Sequence, residues 1–519
     1  MKKLLIAFIP TLALIIPIAA LLSMYFSHHL NMNIFYNSDE LFLPSLFRDM
    51  SHGAFSFSSW NFSAATFIFP DWPFFMISSA VGGSVYRAFS INFSLQILSV
   101  WLLTYLIIRR SGQPRIPALL STSLTFLIMI VWVQNDIYPF SIALLSVSHF
   151  GSFLSWMLAT LFLLIFLDVN HSRKKDYYII FWLCVLIMLT TLSDKLFVLH
   201  WVVPSLVAMP ILWKKFQFEG KRIGLLFMLI SLSTIVGFVA YWMLPHAFGV
   251  GVALAYFGEN CRVLWMIFYK FLEQHTVITS IILLSDIGWS WILVKGLLKK
   301  GPDEDNISAF LLSVMMVGGL TESLFPLAFS TYRLVDEAES RYLLPFFFAP
   351  ILLAPVLLDK LYPNLRSWLT DRKWISGVIL AAGCGILVKN AIMPGFKAGP
   401  LYTDYYPESA RCLDKASYAW NTRRGIALYW QARKMTFLSK DDLNIVQVTP
   451  DLRPYLWIAN KRWFEGDFDF AVIGNADPEG VALVQNLEKR MGPPVATRIC
   501  KNLTIYYYGK DRIHLQKTN

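Results

Sequence analysis

The chain has 519 residues, of which 56% are hydrophobic and only 15% charged, and its mean hydropathy is +0.52. Soluble globular chains carry roughly 25% charged residues, so this deficit excludes an ordinary soluble domain. The net charge of +11 does not point to nucleic acid, because the basic residues fall in short clusters between apolar runs, where they set membrane orientation.

The first apolar run, "LLIAFIPTLALIIPIAALLSMYF", follows Met1-Lys2-Lys3. It is longer than the ~7–15 residues of a signal peptide core and no small-residue cleavage site follows, so it reads as a retained span, Leu4–Phe26. Later runs of spanning character are Ile91–Ile108, Ile116–Val133, Phe150–Leu167, Tyr178–Leu192, Leu196–Trp213 and Ile223–Leu244. Val277–Val294, Ile307–Phe329, Leu343–Leu358 and Trp374–Val388 complete the set. The fold class expected is therefore a polytopic α-helical membrane protein of about eleven transmembrane helices.

The charges test that threading. With the N-terminus cytoplasmic, alternate loops should be basic, and they are: "RRSGQPR", "NHSRKKD", "KKFQFEGKR", "KGLLKKGPDED" and "DKLYPNLRSWLTDRK". The opposite set is poorer in Lys and Arg, as the positive-inside rule requires. "ATFIFPDWPFFMISSAVGG" is apolar enough to span, but counting it would put Arg109, Arg110 and Arg115 outside and invert every later loop. It is expected, with "ELFLPSLFRDM", to form short surface helices in an external first loop, 27–90.

Residues 1–393 then form the membrane domain and 394–519 an external tail of ordinary soluble composition. In the tail "NIVQVT", "DFDFAVIG", "ATRIC" and "LTIYYYG" read as strands and "PEGVALVQNLEKRMG" as a helix, which makes a small α/β domain. The last two strands read as a hairpin. Cys412 and Cys500 both lie there and either form a disulfide or remain two buried thiols. Short loops and the Lys-rich cytoplasmic face suit a bacterial inner membrane with the tail in the periplasm.

Acidic residues collect on the external side: Asp39, Glu40, Asp71, Asp136, Asp194 and, near the outer end of a span, Glu322. Asp286 falls mid-span, where carboxylates usually face a cavity or a partner. Asp39 either caps a helix starting at Glu40 or carries chemistry. Asp194 with Lys195 reads first as a loop ion pair, and His149 as a packed interfacial histidine or a ligand. In "TYRLVDEAESRYLLP", Arg333 and Arg341 bracket three acids. Arg341 and Tyr342 sit at headgroup depth, suited either to bind a phosphate or to anchor the helix.

An acid in the first external loop ("YNSDELF"), surface helices, a bundle of spans, "RYLLP" entering a late span and an external C-terminal domain together resemble the GT-C superfamily of membrane glycosyltransferases. The resemblance covers most of the chain in order, on short motifs. It implies a polyprenyl-phosphate-linked sugar donor and a glycan, lipid or protein acceptor, met at the outer face among membrane lipids. The family's first-loop acid serves as general base or positions the acceptor, which would fall to Asp39 with Glu40 second. Arg341, then Arg333 and Tyr342, would hold the donor phosphate. Some members use a divalent metal, for which Glu322, Asp136 and His149 are the candidates. A transporter or flippase of lipid-linked sugars is the alternative, with Asp286 and Glu322 as its working residues.

Overall fold

A computed structural model describes residues 2–167, 173–246, 254–299, 307–330, 334, 337–362, 378, 381–383, 385–386, 389–390, 400–475 and 477–516. The helices in the first loop and bundle are α1 (Lys2–Phe26), α2 (Met32–Phe35), α3 (Phe42–Ser51), α4 (Asp71–Gly82), α5 (Val85–Arg110), α6 (Arg115–Gln134), α7 (Phe150–Phe166) and α8 (Arg173–Ser193). They continue with α9 (Val203–Phe216), α10 (Gly220–Trp242), α11 (Phe257–Gln274), α12 (Thr276–Leu298), α13 (Ile307–Ala328), α14 (Leu344–Leu352) and α15 (Ala354–Leu361).

Among the described residues five helices are long and apolar enough to cross a membrane: α5, α6, α8 from Asp176, α10 and α12. The 50° bend between α14 and α15 makes a sixth if that pair is one span, and Leu14–Phe26, α7 and Ile307–Thr321 are shorter apolar helices. The run expected at Leu196–Trp213 is interrupted by a π-helical turn, Val198–Val202, before α9. The run at Trp374–Val388 lies mostly outside the described residues. At 10 and 12 residues, α3 and α4 reach only about 15–18 Å and are too short to span.

The C-terminal region holds a five-stranded sheet. Its strands are β2 (Arg424–Ala427), β3 (Asn444–Gln447), β5 (Phe470–Gly474), β6 (Ala496–Cys500) and β7 (Leu503–Tyr507), in the order β3-β2-β5-β7-β6. A separate two-residue ladder joins β1 (Trp60–Asn61) of the first loop to β4 (Ala459–Asn460). β3, β2 and β5 are parallel, while β7 pairs antiparallel with both β5 and β6, the expected hairpin. Three helices accompany the sheet: α16 (Glu408–Trp420), α17 (Tyr429–Leu438) and α18 (Pro478–Met491).

The sheet's two faces follow from period-two alternation. Ala427, Ile445, Phe470 and Val472 turn toward α16 and α17, in one apolar cluster with the helical bundle. Ile426, Val446, Ala471 and Ile473 face α18 through Leu483 and Leu487. Gly425 is required in β2, because any side chain there would collide with the Phe470 ring. The Cys412–Cys500 disulfide ties α16 to edge strand β6, with Cα atoms 5.6 Å apart.

This domain is latched to the first loop. The buried Asp49 carboxylate accepts from Trp60 Nε1 (3.0 Å), Asn460 Nδ2 (2.6 Å) and Trp463 Nε1 (3.1 Å). Arg433, 3% exposed, donates to the carbonyl oxygens of Ser38 (2.8 Å), Trp457 and Ile458 and to Gln447 Oε1. Burying a guanidinium is costly unless acceptors meet it, and these four serve its two terminal nitrogens.

Candidate functional site

The adjacent acids Asp39 and Glu40 sit in a tight turn held by Asn37, whose Oδ1 accepts from both of their backbone N–H groups at 2.9 Å. The following helix, α3, starts only at Phe42 and has no side-chain cap. The capping reading of Asp39 is therefore corrected, since Asn37 takes over the local turn and leaves the Asp39 carboxylate free for tertiary contacts. The two acids point to different places.

Glu40 is 1% exposed. It accepts from the backbone N–H of Ser146 (2.7 Å) and Val147 (3.2 Å) and from the hydroxyls of Ser146 (3.1 Å) and Ser148 (2.8 Å). Burial pushes its carboxyl up to about 7 even against those four donors. It acts as a clamp on the loop preceding α7.

Asp39 keeps 30% of its side chain exposed and faces Arg341, with Oδ2 3.9 Å from Nη1. Its Oδ1 accepts from the Tyr429 hydroxyl, at the start of α17. Arg341 donates to the Tyr342 hydroxyl (3.3 Å), and its buried Nε has no hydrogen-bond partner among the described residues. A carboxylate group thus faces a guanidinium across a partly open gap, with a tyrosine from the C-terminal domain closing one side.

His149 lies behind this pair. Its ring centroid is 5.0 Å from that of Tyr342, and its Nδ1 lies 2.8 Å from Asp194 Oδ2. The Asp194–Lys195 ion pair expected from sequence is replaced: Asp194 turns to His149, and Lys195 lies 4.4 Å from the Tyr241 ring centroid. Burial raises the Asp194 pKa, but the charge and hydrogen bond of His149 outweigh it and hold the carboxyl below its ordinary range. Asp71 is buried against Gly151, where any side chain would collide with its carboxylate. Burial, then the negative charges of Asp194 and Glu40, push Asp71 well above the usual range.

Asp136 is exposed in the turn after α6 at φ +53°. Arg333 lies outside the described residues, and Glu322 is described only as part of the backbone of α13. Among the described residues no three His, Cys, Asp or Glu side chains converge as a metal site needs.

A cavity of about 640 Å³ lies between α11, α12, α13 and the start of α14, lined by Leu343, Phe346 and Phe347 and by Trp265, Thr279 and Ser290. Among the described residues its lining is apolar apart from a few groups, of which Asp286 is the single acid.

Tyr429 and Arg433 were not legible as site residues. They lie at i and i+4 on one face of α17, a spacing that marks neighbours on a helix but carries no address for a partner 390 residues away. Compared with known proteins, the chain matches no family model, no curated protein and no solved structure.

Proposed function

We propose that this chain is a membrane glycosyltransferase of GT-C type, moving a sugar from a polyprenyl-phosphate-linked donor to an envelope acceptor. The observation that carries the reading is the combination of three features: the Asp39 carboxylate, the Arg341 guanidinium 3.9 Å from it, and a lipid-sized apolar cavity whose lining includes Leu343, two residues along the chain from Arg341. The donor's phosphate sits on Arg341, its chain in the cavity, and the acceptor hydroxyl at Asp39. Asp39 takes the hydroxyl proton as the acceptor oxygen bonds to sugar C1. The C1–O bond to phosphate breaks with its electron pair leaving on the phosphate, whose charge Arg341 neutralises.

In this reading about eleven spans cross a bacterial inner membrane, with the N-terminus cytoplasmic and the first loop and residues 394–519 periplasmic. The alternation of basic loops supports that threading, and the five to six helices of spanning length among the described residues support the coarser reading of a membrane chain. No step is routed through a metal. Transport of lipid-linked sugars is the second reading, favoured by the lone carboxylate of Asp286 in an apolar cavity.

The test is a transfer assay on purified protein in membranes, with radiolabelled polyprenyl-phosphate sugars and an envelope-lipid extract. Labelled product that disappears with Asp39→Asn in a folded protein supports the transferase. No product with any donor overturns it and turns attention to Asp286.

A further inference from the structure

The C-terminal sheet has a topological feature that the transfer chemistry does not use. β2 and β5 are adjacent and parallel, yet their connections diverge. From β2 the chain passes through α17 to β3 on one side, and from β5 through α18 to β6 on the other. The two helices lie on opposite faces of the sheet. Where connections part in this way, a crevice opens at the carboxyl ends of the strands, and open α/β sheets take their ligands there.

The residues at those carboxyl ends are distinctive. Tyr429 and Trp430 follow β2, Tyr455 lies in the connection after β3, and Glu479 stands in the first turn of α18 after β5. The Tyr429 ring meets Trp430 at 4.9 Å and Tyr455 at 5.5 Å, both edge-on. Trp430 is 54% exposed. Gln431 lies against Gly474 at the end of β5, where an added Cβ would come within 2.9 Å of its Nε2. Its Oε1 is buried without a hydrogen-bond partner. Tyr429 is also the residue that donates to Asp39, so the crevice borders the candidate base.

The chemistry of this crevice selects its ligand. A phosphate is disfavoured, because the N-terminus of α18 is already capped by the Asp477 side chain and carries Glu479. No glycine-rich turn follows β2, where the sequence is "LYWQ". The exposed Trp430 ring and the half-buried Tyr455 ring, beside an unsatisfied carboxamide and a carboxylate, suit a neutral ligand with apolar ring faces and many hydroxyls.

We propose that the carboxyl-end crevice of β2 and β5 is a saccharide-binding subsite that presents the acceptor glycan to Asp39. Its role rests on the transferase reading, and it narrows the acceptor class to carbohydrate. Trp430 and Tyr455 stack on a sugar ring, and Gln431 and Glu479 bind its hydroxyls.

Photo-crosslinking of the full chain in native membranes tests this without needing activity. Trp430→p-benzoylphenylalanine is irradiated and its adducts are probed by periodate oxidation and hydrazide labelling, which report vicinal diols. Tyr418→p-benzoylphenylalanine, at a more exposed position on α16, is the control. The expected result is a diol-bearing adduct at 430 and none at 418. It should release no polyprenyl phosphate or donor sugar in mild acid, which cleaves the sugar–phosphate linkage of a captured donor. In the transfer assay, Trp430→Ala and Tyr455→Ala should each raise the half-saturating amount of envelope extract about tenfold with the maximal rate held. Adducts at 430 containing only protein or lipid, or unchanged half-saturation in both variants, overturn the subsite. Diol-bearing adducts without transfer by any donor retain the subsite and reject the transferase reading. Transfer without such adducts does the reverse.

Discussion

The carboxylate of Asp39 accepts a hydrogen bond from the hydroxyl of Tyr429, 390 residues further along the chain. The candidate base in the first loop is therefore oriented by the C-terminal domain. Asp39→Asn keeps the shape but loses the proton acceptor, and transfer from labelled polyprenyl-phosphate sugar should fall ~10²–10⁴-fold. Tyr429→Phe leaves Asp39 with Arg341 alone, and its rate should fall by less. Equal rates for wild type and Asp39→Asn would return the carboxylate to a structural role.

Arg341, two residues before the cavity-lining Leu343, offers a planar fork that an ammonium does not reproduce. Arg341→Lys should raise the half-saturating donor concentration about tenfold to a hundredfold, the effect of losing a hydrogen bond to a charged group. Initial rates at varied donor and fixed acceptor measure it. An unchanged donor dependence would remove Arg341 from phosphate binding.

Glu40 accepts from four donors in the 146–148 loop. Glu40→Gln retains an oxygen for them and should be close to neutral, whereas Glu40→Ala orphans buried donors and should destabilise by about 3 kcal/mol. The pH dependence has a definite sign. The folded carboxyl titrates near 7 against 4.5 for the ordinary group, so the folded state holds more protons between those values. Its stabilising contribution is full below the lower value and is lost as pH rises through the upper one. Thermal unfolding of wild type should shift downward from about pH 5 to about pH 8, and Glu40→Gln should flatten that shift.

Ser290 lines the cavity further along α12 than Thr279 does. Ser290→Trp fills the space around Ser290 and leaves the lining at Leu343 unchanged. Transfer from a long-chain polyprenyl donor should drop, while a short-chain donor should still react. Equal loss with both chain lengths would point to misfolding, and equal retention would exclude the cavity as the chain's seat.

Asp49 gathers three side-chain N–H donors, from Trp60, Asn460 and Trp463. Asp49→Ala leaves them buried and unpaired, a loss of roughly 1–3 kcal/mol for each donor left without an acceptor. Limited proteolysis should then release a C-terminal fragment that resists cleavage in wild type. Unchanged digestion would show that the apolar contacts suffice to hold the domain.

Helical character and the C-terminal hairpin were readable because apolar periodicity and turn residues are local signals. The start of α3 at Phe42 was not, since Asn37 had to be recognised as the residue turning back on Asp39 and Glu40. β2 is only four residues long and contains a glycine, too little alternation to stand out in sequence. Of the site, Asp39, Arg341, Tyr342 and His149 could be named individually from charge and membrane depth. Their grouping, the pairing of His149 with Asp194 and the contribution of Tyr429 depend on long-range packing, to which sequence spacing is blind.

The two-residue ladder between β1 and β4 carries a consequence for biosynthesis. Trp60 and Asn61 emerge early from the ribosome, while Ala459 and Asn460 emerge when the chain is nearly finished. Asp39 likewise waits for Tyr429 and Arg341. A nascent chain halted before Tyr429 therefore lacks both the hydroxyl that meets Asp39 and the strand that pairs with Trp60 and Asn61.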